Sequence, residues 1–205
     1  MKLNKRFLLL LCLILLALVF HSIEQHRFIR NEENVSSSCL IVVAPQDFKD
    51  EEYFTTKKIL EQNGCSVLTF SSRNYATSVN KVKIRTIPLD NLSAYLNNAS
   101  ALILIGGPGV LYYENNSELF SLVNTAYSEN KTLGAICLAP LILAESGVLK
   151  GKRATVWGNS FAQKLERLGV NYVDKPVVVD GRIITSNGPE HAGEFANKII
   201  SNIKG

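Results

Sequence analysis

The chain has 205 residues, 46% of them hydrophobic and 20% charged, which excludes a disordered protein and allows one domain with a short appendage. Its net charge of +4 is mild and partly due to Lys2, Lys5 and Arg6 at the N-terminus. No dense basic patch or aromatic-interleaved basic run follows, so nucleic acid is excluded as an expected partner.

In chain order, the first feature is FLLLLCLILLALVF, residues 7–20, a charge-free run behind a basic start. A bilayer-spanning helix needs roughly 20 apolar residues and a signal-peptide core about 7–15, so this run sits between the two. No small-x-small cleavage site follows, and Leu10 and Leu11 precede Cys12 where a lipoprotein site wants small residues. Residues 1–23 therefore read as a signal peptide or a membrane anchor, the anchor slightly favoured, with the domain facing outward. Residues 24–38 read as a polar linker and 39–205 as the domain.

Within the domain, strand and helix patterns alternate, which predicts a mostly parallel sheet covered on both faces. Residues 39–44 form a first strand, 50–63 a helix closed by Gly64, and 66–70 a second strand. VNKVKIRTI, 79–87, reads as a small extended excursion, followed by a helix near 90–97. ALILI, 101–105, is apolar throughout and fits only the sheet centre; it runs into the GGPG turn at 106–109. A helix over 117–130, a strand over 133–136 and a helix from Cys137 to Ala144 come next, then a strand at 154–157 and a helix at 160–168. VVVDGRIITS predicts a hairpin about Asp180–Gly181, and 190–202 the closing helix.

Cys39 and Cys65 each directly precede or open a strand. If those strands are parallel neighbours, about 4.8 Å apart, an oxidising compartment permits a Cys39–Cys65 disulfide; two ordinary buried thiols is the alternative. Cys137 is then the odd thiol. It follows a buried strand and opens a helix, as a nucleophile does on a strand-to-helix elbow, where a helix N-terminus favours the thiolate. Gly106 and Gly107, after their own strand, are placed to offer backbone N–H groups with that of Leu138 as an oxyanion hole. From spacing alone the signal is weak, and an inert buried thiol is the stronger reading. No CxxC or HExxH occurs and histidines are few, so no metal site is expected; GGPG lacks nucleotide-site spacing, so no cofactor is implied.

Several segments carry a resemblance. GAICLAPLILAESGVLKGKRATVW resembles the AICHGP…L…GVLKG segment of the ThiJ/PfpI superfamily, and ALILIGGPG is similar to its central strand and glycine turn. YVDKPVVVDGRIITSNGP is similar to its C-terminal hairpin and TSRGP loop, and APQDFKDEEYFTTKKILEQNG to its first strand, acidic turn and helix. The resemblance implies an α/β flavodoxin-like three-layer sandwich with a mostly parallel central sheet, and a homodimer. It places the reactive cysteine at Cys137, a glutamate that hydrogen-bonds its sulfur at Glu52, and oxyanion donors at Gly107 and Leu138.

The departures are informative. The peptidase-like members have His after the cysteine and a partner-subunit glutamate after the glycine turn; here these positions are Leu138 and Leu111. His191 is the one histidine within residues 39–205, so a cysteine peptidase or amidase would have to use it. Asn187 stands where the family loop has arginine. The leading expectation is a Cys137 thiolate reacting with small electrophiles, either reactive carbonyls in glyoxalase or deglycase-like chemistry, or peroxide, in a stress-response setting. The alternatives are a peptidase or amidase of Cys137 and His191, and a non-catalytic redox sensor or chaperone-like module.

Overall fold

The computed structural model describes residues 37–205. The apolar run at 7–20 and most of the linker lie outside them. Among the described residues no helix is long and apolar enough to cross a membrane.

The chain begins with β1 (Ser38–Val42), whose side chains are almost all buried, as expected of a strand covered on both faces. A short β2 (Gln46–Phe48) leads into α1 (Asp50–Gln62), whose first turn carries Asp50, Glu51 and Glu52. Three carboxylates there suit the partial positive charge of a helix N-terminus. Then follow β3 (Ser66–Ser71), β4 (Tyr75–Ser78), β5 (Lys83–Arg85), β6 (Ile87–Pro88), a short α2 (Leu92–Leu96) and β7 (Ala99–Leu104). A 3-10 turn at Pro108–Tyr113 precedes α3 (Ser117–Ser128), capped by the Asn116 side chain, which accepts the Leu119 amide at 2.8 Å. The remainder is β8 (Thr132–Ile136), α4 (Pro140–Glu145), β9 (Arg153–Ala154), α5 (Asn159–Arg167), β10 (Asn171–Tyr172), β11 (Val177–Asp180), β12 (Ile183–Ser186) and α6 (Ala192–Lys204).

Seven strands form the central sheet in the order β11-β12-β8-β7-β1-β3-β6. All neighbours are parallel except β11 and β12, the hairpin predicted about Asp180–Gly181. Helices α1 and α6 pack together on one side, while α3 and α4 pack together against β8. The fold is thus the expected three-layer α/β sandwich. From β1 the chain moves first to β3 and later returns to β7 on the other side, which opens a crevice at the carboxyl ends of the central strands.

One expectation is corrected. Residues 154–157 do not add a strand to the main sheet: β9 is two residues long and pairs only with β10. The extended excursion expected at 79–87 holds β5, which joins β4 and β2 in a separate three-stranded sheet, and the start of β6, at the edge of the central sheet. Tyr113 fastens the glycine turn to this frame. Its buried hydroxyl donates to the Val43 carbonyl at 3.0 Å and accepts the Ser72 amide at 3.1 Å, tying the end of the 3-10 turn to the ends of β1 and β3.

Cys39 and Cys65 lie at the opposite, amino end of the strands, as the register Ser38↔Ser66 requires. Both are buried, unbonded thiols in hydrogen-bonding contact with each other. Burial holds the Cys39 thiol far above the ordinary range.

Candidate active site

Three chain segments meet at the carboxyl ends of β1, β7 and β8. Cys137 follows β8 directly and has φ of +62°, in the left-handed region that costs a non-glycine residue roughly 1–3 kcal/mol. The surroundings hold it there. Its amide donates to the Ser186 carbonyl at 2.9 Å, and its carbonyl accepts the Trp157 amide at 2.9 Å. The sharp turn lifts the side chain out of the strand direction toward the crevice.

Glu52 enters from the first turn of α1 and is fully buried. Its Oε2 accepts the Gly106 amide at 3.0 Å. The carboxyl group also lies in hydrogen-bonding contact with the Cys137 sulfur, although Oε1 has no well-aligned partner. The Gly107 and Leu138 amides point at the sulfur. Gly106 and Gly107 permit this approach because neither has room for a side chain. A Cβ on Gly106 would lie 2.7 Å from Cys137 Cβ, and one on Gly107 2.6 Å from the Lys49 amide nitrogen.

The structure therefore brings together Cys137, Glu52, Gly107 and Leu138, and corrects the role expected of Gly106. Its N–H is taken by Glu52 and is not offered to an oxyanion. The expectation of a thiol ionised by a helix mouth is corrected as well. α4 starts only at Pro140 and is six residues long, so its dipole is small and set back from the sulfur. Burial dominates instead: it pushes the Cys137 thiol up to about 12, aided by the neighbouring Glu52 charge and opposed by the Gly107 and Leu138 amides. Burial also raises Glu52 to about 7, against the lowering effects of its hydrogen bonds to Cys137 and Gly106 and of the Lys49 charge. The two acids cannot both ionise in contact at neutral pH. Between about 7 and about 12 the pair holds one proton, which these shifts place on the sulfur, with the carboxyl ionised.

The sulfur opens on a cavity of about 330 Å³ lined by Lys49, Glu52, Gly107, Pro108, Cys137, Leu138, Trp157, Pro189 and Glu190. His191 is not among these residues. It ends the 3-10 turn Pro189–His191, and its neighbours Pro189 and Glu190 reach the cavity in its place. Lys49, Trp157 and Glu190 are wall residues that sequence reasoning missed. Lys49 sits just ahead of α1 and pairs with Glu51 at 3.2 Å. Its position three residues before Glu52, one helical turn away, was the available signal.

Residues 37–202 match the DJ-1/PfpI family. The chain belongs to that family. An uncharacterized protein of Methanocaldococcus jannaschii is 36% identical over 198 residues, covering 94% of this chain and 95% of that protein, a span that takes in part of the sequence ahead of Ser37. The glutathione-independent glyoxalase DJR-1.2 of Caenorhabditis elegans is 31% identical over 169 residues, 82% of this chain and 89% of that protein. Among solved structures, the ThiJ/PfpI domain protein from Brachyspira murdochii superposes with a TM-score of 0.78 at 23% identity, covering 82% of this chain and 97% of that one. This DJ-1/PfpI domain thus shares its fold with its structural neighbours.

Proposed function

We propose that this DJ-1/PfpI protein is a cofactor-free, cysteine-dependent enzyme that converts 2-oxoaldehydes to 2-hydroxycarboxylates. The observation that carries the reading is the contact between the Glu52 carboxyl and the Cys137 sulfur in a cavity that no described histidine lines. The similarity to a glutathione-independent glyoxalase supports it.

The steps use only these groups and water. Glu52, ionised above about 7, takes the thiol proton as the sulfur attacks the aldehyde carbon, a C–S bond forms and the carbonyl π pair moves to oxygen. Gly107 and Leu138 amides stabilise that oxygen until Glu52 protonates it. Glu52, now ionised, moves the hydrogen on the former aldehyde carbon as a proton to the ketone oxygen, giving an enediol, and then moves the proton of the hydroxyl on the sulfur-bearing carbon to the neighbouring carbon, leaving a thioester. The aldehyde carbon is thereby oxidised and the ketone carbon reduced, with no external redox partner. Water then hydrolyses the resulting thioester, releasing the hydroxycarboxylate and the thiol.

Methylglyoxal is the direct probe. Wild-type protein without glutathione is expected to form lactate, and Cys137→Ala to lower the rate by at least 10³, to the uncatalysed background. Full turnover by the alanine variant removes the reading. His191→Ala is expected to retain activity within threefold; a large loss confined to peptide or amide hydrolysis would favour the amidase alternative.

Export is the second element of the proposal. The apolar run at 7–20 would direct the domain out of the cytoplasm as a retained anchor or cleaved signal, and the adjoining thiols Cys39 and Cys65 would oxidise there to a disulfide. Mass spectrometry of unreduced protein from its native host after alkylation is expected to show two fewer alkyl groups than after reduction. Equal alkylation removes the disulfide. A homodimer, which the family resemblance implied, would appear as twice the monomer mass in sedimentation.

A further inference from the structure

Trp157 is the least expected part of the cavity. Its indole is large and apolar, yet 52% of the residue is exposed, beside a reactive sulfur. It is not loosely attached. Its amide is bonded to the Cys137 carbonyl at 2.9 Å, so the backbone of nucleophile and wall are fixed to each other. On its other side the ring lies near the Gly188–Pro189 turn: a Cβ on Gly188 would be 3.5 Å from Trp157 Cδ1. Pro108, Leu138 and Pro189 complete an apolar rim about the sulfur. The two charged rim residues do not define an ion site, since Lys49 is already paired with Glu51 and Glu190 is an exposed carboxylate.

The size of the space points the same way. One water occupies about 30 Å³ of liquid, so a three-carbon oxoaldehyde fills roughly a quarter to a third of a cavity of about 330 Å³. The rest is walled largely by apolar groups, which favour a flat apolar substituent over solvent. Exposed apolar surface concentrated beside a reactive group is characteristic of a binding surface.

We infer that the cavity is built for 2-oxoaldehydes bearing an aryl or similarly flat apolar group, and that Trp157 is the specificity-determining residue on which that group stacks. This rests on the proposed oxoaldehyde chemistry for its turnover but not for its binding, so two readouts separate them. The first is kcat/KM for phenylglyoxal against methylglyoxal. The second is the rate of Cys137 alkylation by phenacyl bromide against bromoacetone, read by peptide mass spectrometry and normalised to free cysteine, which needs no turnover.

In wild type both ratios are expected to favour the aryl compound by about tenfold or more, as offset aromatic stacking with burial allows. Trp157→Ala is expected to erase that preference, and Trp157→Phe to keep most of it. Trp157-dependent selectivity in alkylation without turnover of either aldehyde would uphold the binding inference while removing the enzymatic reading. An alkylation ratio equal to that of free cysteine, or one unchanged in Trp157→Ala, overturns the inference.

Discussion

Glu52→Gln is expected to lower kcat/KM toward 2-oxoaldehydes by about 10²–10⁴ and, at the same time, to make the domain more stable above neutral pH. Glutamine keeps the acceptor for the Gly106 amide but can neither carry a proton between sulfur, oxygen and carbon nor share one with Cys137. The activity loss follows from that alone.

The stability gain follows from burial. Glu52 has its folded-state pKa raised from 4.5 to about 7, so the folded protein binds this proton more tightly than the unfolded chain. A raised pKa contributes stability that is fully present below the unfolded value and is lost as pH rises through the folded one. Above about 7 the wild type therefore bears the whole cost of a buried carboxylate, about 3 kcal/mol. Glutamine never ionises and escapes it. At pH 8 the variant is expected to melt roughly 5–10 °C higher than wild type, and at pH 4 the difference should nearly vanish. A variant that melts lower at pH 8 would show that the buried carboxylate carries no such cost.

Gly107→Ala is expected to cost both activity and stability, and its cause is steric. The backbone there has φ of +96°, and a Cβ would lie 2.6 Å from the Lys49 nitrogen and 2.7 Å from the Asp47 carbonyl oxygen. Both are backbone atoms of the segment that leads into α1, so no flexible side chain can yield. Either the turn moves, taking the Gly107 amide from the sulfur, or the entry to α1 moves and carries Glu52 with it. We expect a loss of about 10²–10³ in kcat/KM, the magnitude of one oxyanion donor, and a stability cost of about 2–4 kcal/mol in urea unfolding. Gly147→Ala is the control. It also has positive φ, +91°, but nothing lies within 4 Å of its added Cβ, so only the strain of about 1–2 kcal/mol should appear, with activity kept. Equal activity in the two variants would mean that the Gly107 amide is not engaged.

Most of the architecture was legible because strands covered on both faces leave an unbroken apolar signature. The runs at 101–105 and 133–136 are of this kind, and the Asp180–Gly181 turn has chemistry of its own. The segment ATVW at 154–157 carried a β-like composition, but only Ala154 pairs, with β10, and the rest packs by β12 through single bonds: the Thr155 amide donates to the Thr185 hydroxyl at 3.0 Å. The β2-β4-β5 sheet was hidden because Gln46–Phe48 is three residues long and polar, below any periodic signal.

At the site, Cys137 and the glycine turn could be placed by strand ends, and Glu52 through the family resemblance. The sign of the thiol's shift could not. It depends on how deeply the sulfur is buried and how near a carboxyl lies, and both are set by tertiary packing. Trp157 was missed for a similar reason: an aromatic at the end of a strand-like run reads as core, and only the fold turns it outward.

The rate at which iodoacetamide alkylates Cys137 from pH 5 to 11, in wild type and in Glu52→Gln, tests the coupling of carboxyl and sulfur most directly. The wild type should stay slow through neutral pH, where the proton lost near 7 is that of Glu52, and rise only toward the alkaline end as the thiol ionises. The glutamine variant, freed of the neighbouring carboxylate charge, should begin its rise at lower pH and react faster than wild type above about 7. A wild-type curve with a single free-thiol step near 8.5, unchanged by the substitution, would contradict a thiol raised by burial and by the Glu52 charge.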